Sequence, residues 1–346
     1  MRCCCGCLRT VSAEGGTPAT VSAEASPGHS RRAPADPEAL ISAARAGDAR
    51  ALGRLISLVE NATPELRQVM KVIAPMAGHA RIIGLTGSPG VGKSTVTAAL
   101  VRRFRDAGLR VGVLAVDPSS PFTGGALLGD RVRMQDHATD DQVFIRSMAS
   151  RGHLGGLAWA TPQALRILDA AAFDIVLIET VGVGQAEVDI ATLADCSLVL
   201  LAPGLGDSIQ AAKAGILEVA DIFVVNKSDR PGAQEVIRDL RTMLAMVSYA
   251  QGQWKPPIVS TTASTGGGIA DLVDAINAYG CWLDSTGGRA ARRRDRAREE
   301  ISAIAMAELR QRMGGMPGES RLDELASRVA AGDLDPYTAA DELISG

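Results

Sequence analysis

An α/β chain, with a mainly parallel sheet flanked by helices, is what the sequence predicts, and two observations carry that prediction. Between Arg81 and Ser260 short apolar runs alternate with longer helical stretches, the pattern of parallel strands joined by helical crossovers. Directly after the first run stands Gly87-Ser-Pro-Gly-Val-Gly-Lys-Ser94. A glycine-rich loop between a strand and a helix in this form assigns the sheet to the P-loop NTPase class. Helical extensions are expected at both ends.

Taken in order, residues 1–35 are rich in Ser, Ala, Gly and Pro and repeat the pentad TVSAE at Thr10–Glu14 and Thr20–Glu24. Such a segment cannot offset its ordering entropy by burial, and a disordered tail is expected. Residues 36–76 form a helical prelude, opened by Asp36 as N-cap before Pro37 and carried by Leu40, Ile41, Leu52, Leu55, Ile56 and Val59, then by Leu66, Val69 and Ile73 after Pro64. Residues 77–284 hold the P-loop domain. Its strands are expected at Arg81–Thr86, Arg110–Val116, Gln142–Met148, Asp174–Glu179, Ser197–Ala202, Ile222–Asn226 and Pro257–Ser260. Helices are expected over Lys93–Ala107, Thr161–Ala172 and Gly232–Met246. Residues 285–346 read as a C-terminal helical arm.

Composition excludes several classes. A chain of 346 residues, 46% hydrophobic and 3% aromatic, buries one large core with appended segments. A net charge of -3 gives no general affinity for nucleic acid or anionic membrane. No apolar run approaches the roughly 20 residues of a membrane span, so a cytoplasmic protein is expected. The 6 cysteines divide into a terminal group, Cys3, Cys4, Cys5 and Cys7, and the isolated Cys196 and Cys281. No disulfide framework follows. The terminal group lacks an adjacent histidine or second pair to close a metal site. It reads as a loose tail, without the apolar stretch of a secretory signal, and Glu14 and Glu24 count against a mitochondrial presequence.

The chemistry concentrates at the ends of the expected strands, where ligands sit in such folds. In the phosphate loop, Gly87, Gly90, Val91, Gly92, Lys93, Ser94 and Thr95 form the expected nucleotide cradle. Backbone N–H groups curl around phosphate oxygens, Lys93 bridges the β- and γ-phosphates, and the Ser94 hydroxyl ligates Mg²⁺. Asn226-Lys-Ser-Asp229 follows the apolar strand IFVV. The Asp229 carboxylate can accept two hydrogen bonds from guanine, where adenine offers no such donor pair. Asn226 would brace the loop and the Lys227 stem cover the base. The tetrad is short, but placed downstream of a phosphate loop it makes GTP the expected substrate. Asp117 and Glu179, at the ends of two strands, are candidates to hold Mg²⁺ through water or to orient the attacking water. Asp130, in a glycine-rich stretch, is a third acid for the metal.

Three further runs carry a resemblance: VDPSSPFTGGALLGDRVRM from Val116 to Met134, GHLGG from Gly152 to Gly156, and IETVGVGQAEVDIA from Ile178 to Ala191. With the tail AAGDLDPYTAADELI, they resemble the MeaB/ArgK family of GTPases over about Asp36–Gly346. That family belongs to the metallocentre-assembly branch of P-loop GTPases and serves as chaperone to adenosylcobalamin-dependent methylmalonyl-CoA mutase. The resemblance implies Ser94, Asp117, Asp130 and Glu179 at the Mg²⁺ and switch positions, Thr262-Ala263 in place of the usual Ser-Ala base loop, and a dimerisation arm over residues 285–346. It implies coupling to the mutase, or a related acyl-CoA mutase, through Gly182, Gln185, Gln210 and Lys213. The chain departs from the pattern at Arg131-Val132, where a Lys-Thr pair is common, and around Gly206-Asp207, where one lysine is retained.

The expected function is therefore GTP hydrolysis with Mg²⁺ in a homodimer that serves a mutase. A metal-insertion GTPase and a transport-linked kinase for basic amino acids are the alternatives. The arginine-rich stretch Arg289–Arg298 reads as a solvated helix face rather than a nucleic-acid patch, because Asp295, Glu299 and Glu300 interleave with it. His29, His79, His137 and His153 show no metal spacing and read as surface residues. Trp159, Trp254 and Trp282 read as packing anchors.

Overall fold

The computed structural model describes residues 36–61, 63–118, 140–150, 160–180, 192–204, 219–314 and 318–345. Helix α1 (Pro37–Arg45) starts where the Asp36 carboxylate accepts the Glu38 N–H at 3.1 Å, with Pro37 in the first turn. Helix α2 (Ala49–Glu60) is capped by Asp48, which accepts the N–H groups of Arg50 and Ala51 at 2.8 and 3.2 Å. Each cap satisfies donors that the first helical turn leaves orphaned. Helix α3 (Leu66–Ile73) follows. Of the apolar stripe expected from spacing, Ile41, Leu52, Leu55, Ile56, Val59, Val69 and Ile73 are buried, and Leu40 and Leu66 are half-buried.

Among the described residues seven strands form one parallel sheet: β1 (Arg81–Thr86), β2 (Val111–Pro118), β3 (Val143–Ser150), β4 (Ile175–Thr180), β5 (Cys196–Leu201), β6 (Ile222–Asn226) and β7 (Ile258–Thr261). The spatial order is β3-β2-β4-β1-β5-β6-β7. The chain leaves β1 toward one side of the sheet and later returns past it to build the other. The reversal beside β1 is the topological switch point where α/β sheets bind ligands.

Alternate residues of each strand pack on opposite faces. Ile82, Val176 and Ile178 join helices α1–α3 and α5 (Thr161–Ala170) on one face. Ile83, Leu85, Leu177, Leu198 and Leu200 join α4 (Lys93–Asp106) and α7 (Ile269–Thr286) on the other. Val199, Leu201, Phe223 and Val225 receive α6 (Ala233–Ala245). Strands covered on both sides read as unbroken apolar runs, which is why they were legible in the sequence. Strands β2 and β3 each run two residues past the expected ends, pairing Asp117 with Ala149 and Pro118 with Ser150. Among the described residues β2 pairs with β4 as far as Val116 and Thr180.

Helices α8 (Gly288–Gly314), α9 (Gly318–Ala331) and α10 (Pro336–Ser345) complete the chain. The arginine-rich start of α8 is where the structure differs from expectation. Arg296 donates to Asp195 at 2.9 Å, Arg293 lies 3.5 Å and Arg289 3.9 Å from the same carboxylate, and Arg292 grips Asp221. Asp195 and Asp221 are 2% and 6% exposed, immediately before β5 and β6. Arg289, Arg292, Arg293 and Arg296 are therefore ties between arm and sheet, since carboxylates buried so deeply require paired cations, while Arg294 and Arg298 lie exposed with Asp295 and Glu299 on the solvated side. Burial pulls the Arg296 guanidinium below its usual range, and Asp195 opposes that shift.

Trp254 and Trp282 do serve as packing anchors, with ring centroids 5.0 and 5.7 Å from Tyr279. His79 is exposed. Among the described residues no helix is long and apolar enough to cross a membrane. Residues 1–35, His29, His137, His153, Trp159 and the terminal cysteines lie outside the described residues.

Candidate nucleotide-binding site

Because all seven strands are parallel, their carboxyl ends share one edge of the sheet, and the loops after β1, β6 and β7 meet there. The loop after β1 is shaped by two glycines. Gly87 has φ +140°, and a Cβ built on it would lie 2.3 Å from the Leu200 carbonyl oxygen of β5. Gly92 has φ +97°, and its Cβ would lie 2.5 Å from Asn226 Nδ2. Neither position accepts a side chain without displacing a neighbour.

Gly92 is also the N-cap of α4, and among the described residues no side chain caps that helix. Its first-turn N–H groups and the positive end of its dipole therefore form an anion-binding terminus. Lys93 is 9% exposed, and its Nζ donates to the carbonyls of Gly87 at 2.6 Å and Ser88 at 3.2 Å. The ammonium is held inside the curve of the loop. Ser94 is half-buried and Thr95 exposed in the first turn of α4, while Val91 is fully buried and pins the loop to the core.

Asn226, the last residue of β6, ties this loop to the base loop. Its Nδ2 donates to the Val91 carbonyl at 2.9 Å, while its Oδ1 accepts from Thr261 Oγ1 at 3.1 Å and from the Ala263 N–H at 3.2 Å. Three connections thus converge on one buried amide. Lys227 follows with φ +56°, a conformation that carries strain of order 1 kcal/mol for a residue with a side chain. It directs the lysine across to the phosphate loop, where Nζ donates to the Gly90 carbonyl at 2.6 Å. Ser228 adds a backbone bond to Thr261 at 3.0 Å and a hydroxyl contact with Thr262 at 3.0 Å. Asp229 is exposed at the mouth of this turn.

Glu179 stands in β4 between Leu85 of β1 and Ala115 of β2, and is 2% exposed. By strand alternation it shares the face of Leu177, toward α4. There its Oε2 accepts a hydrogen bond from Thr97 Oγ1 at 2.7 Å. The fold therefore brings together Lys93, Asn226, Lys227, Thr262 and Ala263, and places Glu179 beside the helix that the phosphate loop opens. Asp117 lies in the backbone pairing of β2. Its side chain, Asp130, Gly182, Gln185, Gln210 and Lys213 lie outside the described residues.

Sequence reasoning missed Thr97, Ser228 and Thr261. The signal for Thr97 was a polar residue four positions after Lys93, on a face otherwise carrying Val96, Leu100 and Val101. Ser228 and Thr261 carry no such signal, since serine and threonine are ordinary in turns.

Residues 52–317 match the family described as methylmalonyl-CoA mutase-associated GTPase MeaB. A relative from Pyrococcus abyssi that carries a GTPase name is 47% identical over 307 residues, 88% of this chain and 95% of its own length. The GTPase ArgK of Escherichia coli is 37% identical over 250 residues, 70% of this chain and 76% of its own. The mouse protein named methylmalonic aciduria type A homolog, mitochondrial, is 33% identical over 266 residues, 76% of this chain and 64% of its own. A crystal structure described as a LAO/AO transport system kinase superposes with a TM-score of 0.68 at 26% identity, covering 89% of this chain and 96% of that one. The phosphate loop, the tetrad clasped to it through Asn226, and these matches agree: the chain belongs to the MeaB family of methylmalonyl-CoA mutase-associated GTPases.

Proposed function

We propose that this protein is a GTP-hydrolysing chaperone that gates cofactor loading and protection of an adenosylcobalamin-dependent methylmalonyl-CoA mutase. Family membership carries the reading, since the family is described by its association with that mutase. The name of the mouse relative refers to methylmalonic aciduria, which accords with this reading.

The geometry supports a hydrolysis mechanism built on positioning and charge neutralisation. Gly87, Gly90, Val91 and Gly92 shape the cradle, Thr95 stands beside it, and Lys93 supplies positive charge to the β- and γ-phosphates. Asn226, Lys227, Thr262 and Ala263 hold the base loop against the cradle, and Asp229 reads guanine. Water attacks the γ-phosphorus as the bond to the β,γ-bridging oxygen breaks, giving GDP, inorganic phosphate and a proton. The half-buried Ser94 hydroxyl and the Glu179 carboxylate, both next to the phosphate end of α4, are hard oxygen donors and fit Mg²⁺. Asp117 and Asp130 would complete that set. Mg²⁺ when bound would neutralise phosphate charge.

Residues 285–346 form the homodimer arm in this reading. Ile301, Met306 and Leu309 of α8 are 67%, 50% and 51% exposed, an apolar surface that a second copy would cover.

Methylmalonyl-CoA mutase from the same source should co-elute with the protein and accelerate its GTP hydrolysis. Alanine at Gln185, Gln210 and Lys213 should leave nucleotide affinity within about twofold while weakening that stimulation and the nucleotide control of cobalamin transfer. If neither this mutase nor a related acyl-CoA mutase stimulates hydrolysis, the chaperone reading fails and the GTPase stands alone. The kinase name carried by the similar crystal structure favours a second reading, a transport-linked kinase. Transfer of the γ-phosphate to a substrate-binding protein would select it.

A further inference from the structure

Thr97 lies one helical turn beyond Lys93 on α4 and is 0% exposed. A buried helical threonine ordinarily returns its hydroxyl to the carbonyl one turn back. Here Oγ1 crosses to the sheet and donates to Glu179 Oε2 at 2.7 Å, between residues 82 positions apart. Two consequences follow from that contact. The β-branched side chain has few rotamers and is fully buried on α4, so the direction of the donor is set by the helix. Holding one oxygen of a planar carboxylate defines where the other points.

The spacing of Lys93 and Thr97 places both on one face of α4. The helix that opens at the phosphate cradle thus also orients the acid of β4. We propose that Thr97 is a positioning residue for GTP hydrolysis, acting through Glu179 and touching neither nucleotide nor water. This rests on the reading above that Glu179 serves the phosphate end of the site. Thr97 exchanges no proton. Its role is to hold the Glu179 carboxylate in one orientation while the γ-phosphoryl group passes to water.

The test uses the full chain, with single-turnover GTP hydrolysis, GDP affinity from a fluorescent GDP analogue, and thermal unfolding. Thr97→Val keeps the shape and removes the hydroxyl. It should lower the hydrolysis rate about tenfold, equivalent to about 1.4 kcal/mol in the barrier, with GDP affinity within about twofold of wild type. Thr97→Ser keeps the hydroxyl and should recover the rate to within about threefold. In a Glu179→Gln background, Thr97→Val should change the rate less than about twofold, because a residue that acts through another is silent once that other is changed.

A wild-type rate in Thr97→Val would overturn the proposal. So would a Thr97→Ser rate as low as that of Thr97→Val, or a loss of GDP affinity in step with rate, since both outcomes mark packing. If Glu179→Gln alone hydrolyses like wild type, the assignment of Glu179 fails and Thr97 falls with it. A slow Glu179→Gln beside an unaffected Thr97→Val removes Thr97 alone.

Discussion

Arg292 meets Asp221 through two parallel hydrogen bonds, Nη2 to Oδ1 at 2.7 Å and Nη1 to Oδ2 at 3.0 Å, at the amino end of β6. The same carboxylate accepts the Ser197 N–H at 2.8 Å, so one acid joins β5, β6 and the C-terminal helix α8. The guanidinium also lies 5.5 Å from the Tyr279 ring centroid. Five residues along β6, at its carboxyl end, Asn226 ties the loop after β1 to the loop after β7. The arm and the candidate nucleotide site thus hang from opposite ends of one strand.

Asp221→Ala leaves Arg292 without its carboxylate and the Ser197 N–H without an acceptor. Breaking a buried pair in this way costs about 3–5 kcal/mol. Urea denaturation should show a loss in that range, with GDP affinity changed less than about twofold because the base loop lies at the far end of the strand. A stability change under about 0.5 kcal/mol would show that the clamp does not hold the arm.

Gly92→Ala forces a side chain into a left-handed position and drives a methyl group into the Asn226 amide. The strain is about 1–2 kcal/mol before any displacement of Asn226. Calorimetry should show GTP binding weakened at least tenfold while thermal unfolding stays cooperative. Binding equal to wild type would mean that the loop-to-loop clasp is not needed for the nucleotide.

Lys93→Ala takes away the charge held inside the phosphate loop. Each charged hydrogen bond of this kind is worth about 1.5–3 kcal/mol, and hydrolysis relies on it further. Turnover should fall below detection with the fold intact by circular dichroism. Retained hydrolysis would remove Lys93 from the phosphate site.

Asp229→Asn turns amide donors toward the donors of guanine. GTP affinity should fall by about 2 kcal/mol or more, and xanthosine triphosphate, which presents an acceptor there, should gain. Wild-type protein binding ATP as tightly as GTP would count decisively against base reading by this loop.

Cys196 and Cys281 should differ in reactivity. Burial, the largest cause, pushes the Cys196 thiol well above its usual range, with Asp221 and Asp195 adding to the shift. Cys281 is exposed. Maleimide labelling of the native protein, mapped by peptide mass, should modify Cys281 and spare Cys196 until denaturant is added. Rapid native labelling of Cys196 would show that the amino ends of β5 and β6 open readily.

Much of the fold was legible because its signals are local. Strands covered on both faces leave unbroken apolar runs, and Asp36 before Pro37 marks a helix start without reference to any distant residue. The end of β2 was misjudged for the opposite reason. Asp117 and Pro118 look like a strand terminator and a breaker, and only pairing with Ala149 and Ser150 of β3 carries the strand past them.

Contiguous stretches of chain record part of the chemistry without reference to the fold: the phosphate loop from Gly87 to Ser94, the tetrad from Asn226 to Asp229, and the family to which both belong. A loop that wraps a phosphate must have its glycines and lysine at set spacings along one turn of chain, so the requirement is written in consecutive residues. The pairing of distant polar residues, by contrast, emerges with packing. Asp195 and Asp221 look like ordinary acids before strands, and the arginines of α8 look like a solvated face, until the sheet and arm meet. Thr97 looks like an isolated hydroxyl on an apolar helix face until β4 presents Glu179 to it. A buried charge must find its counterpart wherever packing delivers one, and nothing local to either residue records which partner that is.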